Sequence, residues 1–359
     1  MNSKEEKIRK FDPSGISAID SLFGLPFSTE EAEIIVIPVP WEVTVSYSAG
    51  TSNGPEAILK ASAQVDLYDS YIEDAWKIGI TMIDFPYELK AKSDMLREKA
   101  SAHINALTEG TLKEEDSASV MITDEINRAS TALNTWVKHK CLEYLNKNKM
   151  VVLLGGDHST PLGFMQAVAE KYKNFGILQI DAHADLRVEY EGFKYSHASI
   201  IYNALEIKQV EKVVQVGIRD YSKSEAKIIE EADGRIVTFF DRDIKHKQYG
   251  GETWKTICNN IIDELPFHVY LTFDIDGLDP KLCPHTGTPV AGGLEFEQVI
   301  YLIQQVVESG RKIIGFDLNE VAPGEDEWDA NVGARLLFKI SNMMAKSMKS
   351  SEINFKKPI

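Results

Sequence analysis

Asp181, His183 and Asp185 stand two residues apart in the stretch QIDAHAD, directly after the apolar run Phe175-Gly176-Ile177-Leu178. Side chains along a strand alternate between its faces, so in an extended backbone all three would point the same way. That arrangement is a comb of metal ligands, and its alternative is an ordinary hydrogen-bonded turn. Two further stretches follow the same grammar of an apolar strand with a polar ligand at its carboxyl end. Met150-Val151-Val152-Leu153-Leu154 runs into Gly155-Gly156-Asp157-His158-Ser159, and His268 to Phe273 runs into Asp274-Ile275-Asp276. In open parallel α/β sheets ligands bind at that edge.

The six candidates are His158, Asp181, His183, Asp185, Asp274 and Asp276. Two imidazoles and four carboxylates exceed what one tetrahedral zinc takes, and no thiolate is among them. They suit a pair of manganese-class divalent ions with shared carboxylates. Two such ions roughly 3.5 Å apart lower the pKa of a bridging water and supply hydroxide near neutral pH. The expected chemistry is hydrolytic.

The elements that must position these groups can be read along the chain. Residues 1–32 form an arm with a turn at Asp12-Pro13-Ser14-Gly15 and an apolar piece around Ile19, Leu22 and Phe23, which needs a surface to cover, this subunit's or a neighbour's. Residues 33–349 form the main domain and residues 350–359 a tail. Glu33 to Pro38 is the first buried strand, leading into a Ser/Thr/Gly-rich loop, Trp41 to Gly54, that offers a substrate wall. Lys77 to Ile83 is the second strand. Helical sequence then fills Pro86 to Lys149, broken at Glu109 to Ser119, with Thr123 as the expected cap of its second part and His103 and His139 facing solvent. Val213 to Ile218, Ile236 to Phe240 and Ile313 to Leu318 are further strands. Ser222 to Ala232, Glu252 to Leu265 and Asp329 to Met348 read as helices, and Phe296, Val299, Ile300, Ile303 and Val307 form one helix face. Eight strands alternating with helices imply a single three-layer α/β/α domain with an eight-stranded parallel sheet.

Composition bounds the partners. The chain has 359 residues, 43% of them hydrophobic, enough for one large α/β domain. A net charge of -16 argues against nucleic acid or an anionic membrane as partner and agrees with a cationic substrate. Cys141, Cys258 and Cys283 lack CxxC spacing and read as reduced, buried thiols of a reducing compartment. With no membrane-length apolar run and a polar, charged start, the expected location is the cytoplasm.

GGDHS at 155–159, DAHAD at 181–185, and TFDIDGLDP followed by TGTP and GG within 272–293 resemble the ureohydrolase family of arginases, agmatinases, guanidino-acid hydrolases and formiminoglutamases. The resemblance spans about Glu33 to Met348. It implies an arginase-like fold with two manganese ions at the strand ends, nickel being the alternative. It also implies that His158, Asp181, Asp185 and Asp274 hold one ion and His183 and Asp276 the other. Asp185 would further hold the bridging hydroxide. Glu320, in Asn319-Glu320-Val321-Ala322-Pro323, matches the carboxylate that grips the guanidinium, and His197 the histidine that protonates the leaving amine. Family members often have glycine after that histidine; here it is Ala198. Arginases place an asparagine where this chain has Arg187, which turns the expectation from arginine toward agmatine, a small cationic guanidino substrate, cleaved to putrescine and urea.

Arg187 could pair with Glu189 or Glu191 or meet a carboxylate-bearing substrate, and His285 is either a selectivity residue at the pocket rim or an exposed turn histidine. Guanidinobutyrate, other guanidino acids, free guanidine and formiminoglutamate stay open as substrates. A family-fold binding protein without hydrolase activity stays open as a different class, separable by metal content. The family also implies a homotrimer or homohexamer.

Overall fold

The structure is a computed structural model that describes residues 3–349, so the tail expected at 350–359 lies outside the described residues. Eight apolar runs become eight strands: β1 (Ile34–Val39), β2 (Ile80–Met82), β3 (Met150–Gly155), β4 (Phe175–Ile180), β5 (Val210–Val216), β6 (Ile236–Phe239), β7 (His268–Asp274) and β8 (Lys312–Asn319). They form one all-parallel sheet in the order β2-β1-β3-β8-β7-β4-β5-β6. β8, the last strand in the chain, thus sits in the middle of the sheet, between β3 and β7. Pro38 is tolerated within β1 because β2 pairs only as far as Val36. Its missing N–H falls on the open side beyond that point.

The helices are α1 (Ser3–Lys10), α2 (Gly54–Ala61), α3 (Tyr87–Thr108), α4 (Ser117–Leu145), α5 (Leu162–Lys171), α6 (Ile200–Leu205), α7 (Lys223–Glu231), α8 (Asp241–Tyr249), α9 (Trp254–Asp263), α10 (Phe296–Glu308) and α11 (Trp328–Lys349). α3, α4, α5 and α6 pack in one set and α2, α9, α10 and α11 in another, which gives the two outer layers of the expected sandwich. No helix among the described residues is long and apolar enough to cross a membrane.

Several local expectations are corrected. The second strand is short, because residues Ala75–Ile78 wind into a 3-10 turn and Gly79, at φ +80°, breaks the extension before Ile80. α4 starts at Ser117 behind Asp116, which leaves Thr123 inside the helix rather than at its cap. His139 is exposed, but His103 is buried at 1% exposure with its ring edge-on to Phe193. In the arm, Leu22 and Phe23 cover this chain's own core, Phe23 meeting Phe338 at 5.1 Å between ring centroids, whereas Ile19 remains 75% exposed.

Candidate functional site

The four central strands, β3, β8, β7 and β4, bring their carboxyl ends side by side, and these ends carry His158, Glu320, the Asp274/Asp276 pair and the Asp181–Asp185 stretch. Residues more than 160 positions apart in sequence become neighbours in this way, as the bond from His158 N–H to Glu320 Oε1 (2.8 Å) illustrates.

After β3 the chain turns at Gly156, where an added Cβ would lie 2.1 Å from the Trp41 carbonyl oxygen, so only glycine fits. Asp157 then folds the turn by accepting from the Ser159 N–H (2.9 Å) and hydroxyl (2.5 Å). His158 is thereby aimed across the strand ends. Its Nε2 lies 2.8 Å from Thr272 Oγ1, and that hydroxyl donates to Asp317 Oδ1 at 2.8 Å. The hydroxyl proton being spent on Asp317, the oxygen accepts from His158 Nε2–H, which leaves Nδ1 as the nitrogen that faces the carboxylates. A metal-binding histidine is oriented in this way, its other nitrogen held by a hydrogen bond.

The Asp181–Asp185 stretch is the turn rather than the extended comb. β4 ends at Ile180, Asp181 Oδ1 accepts the His183 N–H at 2.6 Å, and Asp185 takes a left-handed φ of +54°. Convergence comes from the turn, not from strand alternation. Gln179 Nε2 steadies it by donating to Asp181 Oδ2 (2.8 Å) and the His183 carbonyl (3.2 Å). On β7, Asp274 Oδ1 accepts the Asp276 N–H (2.9 Å), and Asp276 Oδ1 accepts the Ala182 N–H (3.0 Å), stitching the two ligand loops together.

Three carboxylate oxygens face His158 Nδ1: Asp181 Oδ2 at 3.0 Å, Asp185 Oδ2 at 3.1 Å and Asp274 Oδ2 at 3.4 Å. None of them is aligned with Nδ1 as a well-formed hydrogen bond. A second group forms where His183 Nδ1 stands 3.0 Å from Asp276 Oδ2 and 3.7 Å from Asp181 Oδ1. Asp181 belongs to both groups, one oxygen to each. Buried carboxylate oxygens and imidazole nitrogens aimed at one another need either protons or a metal cation between them.

The electrostatics agree. Burial opposes charge on His183, yet Asp276 and Asp181 push it up to about 12, and His158 is likewise driven upward by Asp181, Asp185 and Asp274 against its burial. Burial still pushes Asp185 up to about 7 and raises Asp274 well above the carboxylate range. Without an ion the cluster takes up protons to offset its crowded carboxylates, and those protons occupy the places that metal cations would take. The donors present, all imidazole nitrogen and carboxylate oxygen, fit two divalent ions.

Glu320 is buried beside this cluster with a left-handed φ of +62°, and burial followed by Asp274 and Asp157 holds its carboxyl well above the ordinary range. A cavity of about 560 Å³ opens over the cluster; His183, Asp185, Arg187, His197, Asp220 and Glu225 are among the groups that line it. His197 is held by its N–H on Thr44 Oγ1 (3.2 Å), and desolvation first, then the positive neighbours His183 and His158, pushes its ring down to about 3. It is a neutral imidazole at rest.

Arg187 lies over the Tyr190 ring, 4.5 Å from the centroid, with Nε 3.9 Å from Glu225 Oε2, so its carboxylate neighbour is Glu225 rather than Glu189 or Glu191. His285 does not line the cavity: its N–H and Nδ1 bond both oxygens of buried Asp329 at 3.0 and 2.8 Å, at the start of α11. The rim position expected for His285 is corrected accordingly, because Asp329 draws the ring away.

Thr272, Gln179, Asp220 and Glu225 were not singled out from the sequence. For the first two a signal existed: a polar residue inside a strand buried on both faces must find a buried partner. Asp220 follows β5, and only its pairing beside His183 puts it at the cavity.

The sequence pattern of the family described as Arginase family matches residues 32–342. An N(1)-aminopropylagmatine ureohydrolase of Thermococcus kodakarensis is 32% identical over 319 residues, covering 88% of this chain and 92% of that protein. An agmatinase of Bacillus subtilis is 28% identical over 315 residues, covering 86% and 90%. Among solved structures, the agmatine ureohydrolase of Thermoplasma volcanium superposes with a TM-score of 0.70 at 22% identity, covering 96% of this chain and 99% of that one, a likeness that speaks for the fold.

Proposed function

Because the chain belongs to the arginase family, we propose that it hydrolyses a guanidino compound to urea and an amine, with agmatine, giving putrescine, as the preferred substrate. One observation carries this reading: three buried carboxylates converge on Nδ1 of His158, with a second imidazole–carboxylate group sharing Asp181. His158, Asp181, Asp185 and Asp274 would hold one ion, and His183 and Asp276 a second, with Asp181 between them. Manganese suits this oxygen-rich set and nickel is the second choice. When bound, the ions supply a water acidic enough to act as nucleophile near neutral pH.

The chain's own groups do the rest. Glu320, costly to ionise alone, gains its charge when a guanidinium lies against it and can accept two of that group's N–H bonds. This orients the guanidinium carbon toward the cluster. His197, neutral and at the cavity wall, takes up a proton and hands it to the departing amine, which leaves poorly as an anion. Asp220 offers a carboxylate to a cationic tail, while Arg187 is turned onto Tyr190 and Glu225 and away from that role.

A longer substrate, N(1)-aminopropylagmatine, is the second reading. It is favoured by relatives of that name at 30% identity or more and by a cavity of about 560 Å³, which has more room than agmatine fills. We also place the protein in the cytoplasm as a homotrimer or homohexamer, which sedimentation tests.

Urea release from protein loaded with manganese, and separately with nickel, decides among agmatine, aminopropylagmatine, arginine, guanidinobutyrate, guanidinopropionate and free guanidine. Formamide release from formiminoglutamate is measured beside it. Highest kcat/KM with a cationic-tailed guanidine supports the proposal. A preference for a guanidino acid would reassign the tail site, and no urea from any of them would remove the hydrolase reading.

A further inference from the structure

The loop at 186–197 supplies Arg187, Tyr190 and His197 to the cavity, and little in its own sequence would hold it in shape. Its one regular feature is a tight turn in which Tyr190 and Phe193 exchange backbone hydrogen bonds (3.1 and 2.8 Å) around Glu191 and Gly192. Both central residues are left-handed, at φ +54° and +80°. Glycine takes that conformation freely, but a glutamate does so only where its surroundings insist.

Ser46 Oγ donates to the Glu191 carboxylate (3.2 Å), and Asn203 of α6 donates to the Lys194 carbonyl (2.9 Å), but the turn's own backbone is gripped by α3 and α4. His103 of α3 sits 3.1 Å from the Glu191 carbonyl through Nε2, and since a carbonyl only accepts, Nε2 carries the proton. Asn127 of α4 uses both ends of its amide, donating to the Gly192 carbonyl (3.3 Å) and accepting from the Lys194 N–H (2.9 Å). Gly192 lies so close to α4 that an added Cβ would stand 2.8 Å from Thr123 Cγ2. The two helices are tied to each other by Lys99 and Glu125 at 2.6 Å. Further along, Asn134 and Val137 of α4 are pressed against Gly163 of α5, so the helix that grips the loop is anchored on the body of the protein.

The grip passes inward through one ring. Tyr190 bears the Arg187 guanidinium on its face at 4.5 Å and meets the edge of His197 at 6.3 Å between centroids. The cluster side chains are oriented by Thr272, Gln179 and each other, and the backbone of Asp185, just before the loop, is held by the N–H groups of Ile201 and Tyr202 in α6.

We propose that the α3/α4 pair is a clamp for the substrate loop, and that His103 and Asn127 are positioning residues which set how the cavity discriminates between substrate tails. The inference rests on the reading that the cavity receives the substrate. It assigns a task to the long helical segment between β2 and β3.

The test compares wild type with Asn127→Ala, Asn127→Asp and Gly192→Ala, all as full-length, metal-loaded protein. Asn127→Asp keeps the acceptor for Lys194 N–H and loses the donor to Gly192. In Asn127→Ala, amide hydrogen exchange across 186–197 should quicken about tenfold or more while the sheet strands keep their protection. KM for agmatine should rise about fivefold with kcat changed far less, and the agmatine-to-guanidinobutyrate ratio of kcat/KM should shift. Bound metal per chain should stay at the wild-type value. Asn127→Asp should fall between the two, and it carries the test should Asn127→Ala not fold. Unchanged exchange in the loop, or an unchanged substrate ratio in the variants, would overturn the clamp. If wild type itself releases no urea from any guanidino compound, the functional reading fails separately and the selectivity half of the inference falls with it. The exchange data then still decide whether the helices hold the loop.

Discussion

At the level of single residues, the hydroxyl of Thr272 decides which nitrogen of His158 faces the carboxylates. Thr272→Val keeps the shape and removes both the acceptor for Nε2–H and the link to Asp317. Metal affinity should fall about 10–100-fold, read by titration against a chelator, with the fold retained. Unaltered affinity would mean that the tautomer is set elsewhere. Protonation gives a second prediction. In protein stripped of metal, His183 stands near 12 and His158 well above its ordinary value, so both carry protons near neutral pH. An incoming cation must displace those protons. Affinity therefore rises with pH, and calorimetry in buffers of different ionisation enthalpy should register at least about one proton released per ion. Buffer-independent heats would contradict this. The residues that converge in the cluster were legible in the sequence because each is a distinctive side chain at the end of an apolar run, a local pattern. The turn that aims Asp181, His183 and Asp185 was not, since it depends on Gln179 and on Asp276 from another strand. His103 was illegible for the same reason: its partner, the Glu191 carbonyl, is 88 positions away.

At the level of elements, strands buried on both faces read as unbroken apolar runs, which is why β1, β3, β4, β7 and β8 stand out in the sequence, while the edge strands β2 and β6 are only partly buried. α5 and α8 do not stand out. α5 is apolar on nearly every side and buried, while α8 buries little beyond Asp241 and Ile244, so neither shows the one-sided period that marks a helix. The apolar piece of the arm is plain in the sequence, but the surface it covers is supplied by Phe338, far along the chain. Phe23, buried against Phe338, belongs to this chain's core. Phe23→Ala should destabilise the protein by about 3–5 kcal/mol in denaturant unfolding. A cost below about 1 kcal/mol would mean that the arm detaches freely in solution.

For the whole molecule, the net charge of -16 becomes a statement about encounter. A dicationic substrate such as agmatine is drawn toward an acidic surface, and salt screens that attraction. Where encounter limits the rate, kcat/KM for agmatine should decline as ionic strength rises, and that for zwitterionic guanidinobutyrate should change much less. Stopped or steady-state assays across a salt series check this, and equal slopes would remove the steering argument. The position of β8 has a different consequence. It is made last among the strands yet belongs in the centre of the sheet, between β3 and β7, and it delivers Glu320. On the ribosome, a nascent chain ending before residue 312 has every cluster histidine and aspartate but a gap where its two half-sheets should meet. Completion of the core and the arrival of Glu320 beside the cluster are thus one event in biosynthesis, and an unfinished chain is exposed to chaperones and proteases until then.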